Sequence, residues 1–82
     1  MKANNVEDTS SNEKIDNLEA EIENIKAQIA ECDQKTRELL SQEDPYTGIT
    51  YAQEIFKLKQ EKLALQVEID IRKKKINRLK FI

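Results

Sequence analysis

Cys32 is the one thiol in this sequence, and there is no histidine anywhere in the chain. A lone cysteine cannot close an internal disulfide. Without histidine there is no Cys/His or Ser/His pair for nucleophilic catalysis, and the usual zinc ligand sets are missing. Carboxylates are plentiful, but they do acid–base work only where burial or a neighbour drives their pKa values apart. Here they are spread along charged, helix-forming sequence. The chain has a single glycine, Gly48, so it holds no glycine-rich phosphate loop. The expectation is a protein that is not an enzyme, with no catalytic residues, no cofactor and no metal. Cys32 then reads as a small buried hydrophobe, with Lys62 as the neighbour that would lower its pKa.

What is left to act is binding chemistry, of two kinds. The first is the basic run "IRKKKINRLKFI" from Ile71 to Ile82. Lys74, Arg78 and Lys80 are its candidate nucleic-acid contacts, and Lys74 and Arg78 point away from the heptad positions Ile76 and Leu79. The run lacks the interleaved aromatics of a single-strand binder. The second kind is apolar surface, and it depends on how the chain is organised.

Charged residues make up 37% of the 82 positions and apolar residues 38%. That mix, with almost no Gly or Pro, belongs to coiled coil or long helix rather than to a disordered chain. Residues 1–9 lack periodicity and read as a flexible tail. "SSNE" then fits a capping box, with Ser10 as the cap and Glu13 reaching back. From Ile15 the apolar spacing alternates three and four: Ile15, Leu18, Ile22, Ile25, Ile29, Cys32, Thr36, Leu39. This is a heptad pattern, and it predicts helix 1 over about 11–42. "EDPYTG" has turn chemistry: Pro45 disfavours helix at Asp44, and Asp, Pro and Gly in this order fit a tight turn at about 43–49. A second capping box, Thr50 with Gln53, would open helix 2 over about 50–80. Its seam runs through Tyr51, Ile55, Leu58, Lys62, Leu65, Ile69, Arg72, Ile76 and Leu79.

The two seams match as an antiparallel pair. Ile15 with Leu79, Ile25 with Ile69, Ile29 with Leu65 and Leu39 with Ile55 all have residue numbers adding to 94, and every other seam pair does the same. The fold point is therefore Thr47, inside the turn found from its own chemistry. The fold class is all-α: a two-helix antiparallel coiled-coil hairpin forming residues 10–82, expected to assemble into a dimeric four-helix arrangement. Flanking charges fit this register through Glu19 with Lys73, Glu21 with Lys75, Asp33 with Lys59 and Lys35 with Glu61. Residues 1–45 carry five basic and twelve acidic side chains, and residues 46–82 carry nine and four, for a net charge of −2. The two halves are each other's counter-charges. Arg72, Lys62 and Thr36 make three weak core layers, where long stems can pack and snorkel.

Helix 2 carries a second apolar stripe: Ile49, Ala52, Phe56, Leu63, Val67 and Ile71, roughly opposite the seam at 100° per residue. Helix 1 can cover only the seam, so these six residues are the candidate protein interface. The functional expectation is a small protein-binding module, structural, adaptor or inhibitor, with a protein partner or itself as a homodimer. The alternative is a nucleic-acid-binding regulator using the basic end. No stretch approaches the ~18 apolar residues of a membrane span, and Met1 to Ser10 has no apolar signal region, so a cytoplasmic protein is expected. Glu43 and Asp44 at the end of a long rod are similar to the acidic tip of the coiled-coil finger of bacterial transcript-cleavage factors, which reaches into RNA polymerase. The likeness is architectural: those factors space their acidic tip residues, whereas Glu43 and Asp44 are adjacent, and ordinary turn polarity accounts for both.

Overall fold

Glycine and proline are confined to one place, and the chain bends only there. The computed structural model describes the backbone of residues 2–81 and the side chains of residues 11–81. It consists of α1 (Lys2–Gln42) and α2 (Ala52–Lys80) packed side by side as a hairpin. The rod measures 73 × 14 × 12 Å. The helical backbone starts at Lys2 rather than near residue 11. The Ser10 capping box therefore does not open the helix, and the Ser10 side chain lies outside the described residues.

α1 stops because Pro45 denies Asp44 a helical backbone. Its last turn is tied off by Ser41 Oγ donating to the Glu38 carbonyl at 2.7 Å and by Glu43 N–H donating to the Leu40 carbonyl at 3.3 Å. The link between the helices is a miniature of sheet pairing. Asp44 and Ile49 exchange both backbone hydrogen bonds, at 3.0 and 3.1 Å. Inside this clasp, Tyr46 N–H donates to Asp44 Oδ1 at 2.9 Å, an Asx-turn. Gly48 closes the loop at φ 78°, the left-handed region that other residues avoid.

The start of α2 corrects the capping expectation. The helix begins at Ala52 after Tyr51, and no side chain of its own first turn caps it. Glu43 does this from across the turn, its Oε2 accepting from Tyr51 N–H at 2.9 Å. A carboxylate at that point also suits the positive end of the helix dipole. Thr50, the expected cap, is exposed.

Packing follows the heptads. Ile22, Ile25, Cys32, Ile55, Ile69 and Ile76 are buried, and every other seam position of both helices is half-buried. None is sealed completely, because a pair of helices has no third layer to close over it. The cohesive cluster is Ile22, Ile25, Ile69 and Ile76, with Ile15, Leu18, Ile29 and Leu65 packed against it. It occupies the half of the rod away from the turn. Of the three layers expected to be weak, the one at Ile22 and Arg72 falls inside this cluster, while Cys32 and Thr36 lie outside it, and Thr36 Oγ1 turns back to donate to the Cys32 carbonyl at 2.8 Å.

The interhelical charge pairs differ from the expected set. Among the described residues they are Glu21 with Arg72 (2.8 Å) and Asp33 with Lys62 (2.8 Å). Both cations sit on the seam. Their stems lie along it and their heads emerge at its edge, where they reach carboxylates that the flanking lysines were expected to hold. Arg72 also binds the Glu68 carboxylate and donates to the Glu68 carbonyl at 3.0 Å. These pairs are substantially exposed, so their value lies in fixing register more than in energy.

A Cβ added at Gly48 would meet nothing within 4 Å. The cost of Gly48→Ala is therefore backbone strain alone, about 1–2 kcal/mol. Thermal melting should show that loss, and Gly48→Asn should recover most of it because Asn tolerates this conformation. Equal melting temperatures for the wild type and Gly48→Ala would mean that the positive φ is not needed.

Candidate functional site

With the seam closed by α1, the outer face of α2 has no cover among the described residues. Phe56 is 61% exposed, Leu63 58% and Val67 55%, with Ile49 and Ile71 only slightly less. Ala52 is exposed beside them. All six residues of the expected interface lie on the surface, five of them along α2 and Ile49 just before it, in the bridge with Asp44. Phe56 and Ala52 line a shallow depression with Gln53 and Lys57. Large side chains on a rigid element lose little freedom when a partner covers them, which favours binding.

Among the described residues three more large apolar side chains are exposed beyond the expected six, one of them Phe81, 87% exposed just past the end of α2. Leu40, at the end of α1, is 52% exposed. In the register of the hairpin it stands level with Ala52, so the apolar surface passes from α2 to α1 near the turn. Its signal was present in the sequence: Leu40 follows the seam residue Leu39, and a second adjacent leucine cannot face the same partner. Tyr46, at the extreme end of the rod, is 98% exposed. Nothing in the periodicity marks it, since it belongs to neither helix.

Lys74, Arg78 and Lys80 are all exposed on the last turns of α2. Arg78 lines an apolar-floored groove of about 470 Å³ with Lys14, Lys75, Leu18 and Leu79. The acidic pair has local work: Glu43 holds the start of α2 and Asp44 holds the turn. That places both carboxylates in the architecture of the tip. Among the described residues no cluster of Cys, Asp and Glu is placed to hold a metal ion, and no helix is long and apolar enough to cross a membrane.

Cys32 is buried on the seam, as a small hydrophobe would be. The expected effect of Lys62 on its thiol is replaced by the opposite one. Lys62 turns away to Asp33, and Glu61 takes its place, its Oε2 accepting from the thiol at 3.6 Å. Burial, then the Glu61 carboxylate, push the Cys32 pKa up, against a smaller lowering by Lys35. The thiol is held protonated and weakly nucleophilic.

No protein-family model matches the chain, and no curated protein or solved structure matches it. The site is therefore read on its own geometry.

An unfolded thiol titrates near 8.5, and the folded chain holds its proton more tightly than that. The resulting stabilisation is complete below the unfolded value and is lost as pH rises through the folded one. The melting temperature of the wild type should therefore fall relative to Cys32→Val as pH is raised from about 8 to 10. Parallel curves for the two proteins would contradict this account of Cys32.

Proposed function

We propose that this is a small non-enzymatic protein-binding module, structural, adaptor or inhibitor in its action, whose working surface is the outer face of α2. One observation carries the reading: a continuous stripe of large apolar side chains stands in water on a helix whose other stripe is already buried. Covering a single Leu, Val, Ile or Phe contributes about 1.5–3 kcal/mol. Several such residues in line on a rigid rod give a partner helix or groove a ready-made site. Phe56 and Leu63, at the middle of the stripe, are the anchors. A second copy presenting the same stripe would produce a dimeric four-helix arrangement with the two α1 helices outermost.

A second reading has an observation in its favour. Arg72 takes Glu21, which was expected to neutralise Lys75. Lys75 is thus left without the carboxylate expected of it, which moves the uncompensated positive charge towards the end of α2, where Lys74, Arg78 and Lys80 would serve a nucleic-acid-binding regulator. Phosphate contacts weaken steeply with salt, whereas burial of the stripe does not.

Solution mass and partner retention should distinguish the two. Phe56→Asp combined with Leu63→Asp should weaken association about 100-fold, at ~2 kcal/mol or less for each central anchor, while far-UV circular dichroism stays unchanged. Wild-type association should persist from about 50 to 500 mM salt. If the double variant keeps the wild-type mass in solution and every partner, the stripe is not the working surface.

A further inference from the structure

Given the proposed protein-binding role, on which this reading rests, the stripe and the charges around it also indicate the occupant and its orientation. Past Ile49, which lies in the turn, the stripe follows α2 through Ala52, Phe56, Gln60, Leu63, Val67 and Ile71 in steps of four, four, three, four and four. The spacing on α2 is palindromic about the midpoint of Gln60 and Leu63. Reversing the helix direction brings Ala52 opposite Ile71, Phe56 opposite Val67 and Gln60 opposite Leu63. A self-complementary surface of this kind is what a two-fold dimer requires.

Charge sets the direction. Beyond the stripe, the outer face of α2 carries Lys74, Lys75 and Arg78, all exposed, with Phe81 just past the end of the helix. A parallel pair would press two of these ends together. An antiparallel pair carries each of them over the other copy's turn, where Glu43 and Asp44 sit. Each of those carboxylates uses one oxygen within the turn, leaving its second oxygen to accept from a partner. Lys59 and Glu61 lie about 100° around the helix from Gln60 and stay outside the contact.

We propose that the partner of the stripe is a second copy of this chain, packed α2 against α2 in antiparallel orientation about a two-fold axis midway between Gln60 and Leu63, with each basic end docked on the other copy's acidic turn. The stripe on α2 covers 19 residues in five steps, about 3.8 per turn, whereas the seam averages 3.5. The two stripes drift around α2 with opposite hands, so the copies cross rather than extend the left-handed coil of the hairpin. The stripe is small beside the ~800 Å² per partner of a standard interface, which makes the dimer concentration-dependent.

Cysteine cross-linking tests the arrangement. Gln60→Cys lies within one turn of its own counterpart across the axis, about 4.5 Å along the helix, and should give a covalent dimer with a short bifunctional thiol reagent. Lys74→Cys lies at the level of the partner's Ile49, about 38 Å along the helix from its own counterpart, and should stay uncoupled. The wild type is the control, because Cys32 is buried. Lys74→Glu with Arg78→Glu should weaken the dimer about tenfold at low salt. Cross-linking of both cysteine variants would establish a parallel dimer and overturn the proposal. Cross-linking of neither, with a monomer mass at millimolar concentration, would also overturn it. That second outcome would leave the stripe to a different protein, a case that the Phe56→Asp and Leu63→Asp variant tests separately.

Discussion

Two helices packed side by side can shield one stripe on each of them. α1 presents one stripe and α2 presents two, and nearly everything distinctive about this molecule comes from that inequality. The seam takes Ile22, Ile25, Ile69 and Ile76 out of water. The same geometry prevents Phe56, Leu63 and Val67 from joining them. A helix packed on one side of α2 leaves the other side open, and the turn between Asp44 and Ile49 brings back only one helix. The exposed stripe is therefore a property of the topology. It remains until something outside the chain supplies the missing layer.

The seam itself is under-filled, and its charged members show how a thin core tolerates them. Arg72 and Lys62 occupy positions where leucine would pack better. Their aliphatic stems stay on the seam and their heads reach Glu21 and Asp33 at its edge. In a deeper core those charges would be buried at high cost. Here the edge is never far away, so the cost is small and the gain is directional: an arginine that must meet Glu21 and Glu68 together holds the helices at one height. Register is specified by these few contacts as well as by the apolar ladder.

Much of this was legible in the sequence because helical periodicity is redundant. The seam positions of both helices obey one spacing rule, and the constant sum of paired residue numbers locates the bend without any appeal to turn preferences. The legibility fails where a single contact decides. Ser10 and Thr50 both stand in capping motifs, yet α1 starts at Lys2, and α2 is held by Glu43 from eight residues upstream of Tyr51. Position along the helix assigns the flanking ion pairs to lysines, whereas a flexible stem on the seam reaches the same carboxylates first. The neighbour of Cys32 is misjudged for the same reason. Of the candidate site, the six stripe residues come from spacing alone. Leu40 escapes that reading because it belongs to the other helix, and Tyr46 because turns have no period.

The best-packed layers lie at the far end of the rod from the turn, and the layer at Cys32 and Lys62 separates them from the bend. During folding, closure is entropically cheapest next to the turn, where partners are a few residues apart, and dearest at Ile22 and Ile76. Zipping outward from the bend thus begins with the contacts that reward it least and reaches the rewarding ones only after crossing a polar gap. A chain built this way gains little from a half-closed state, so its two arms should join in a single concerted step rather than layer by layer.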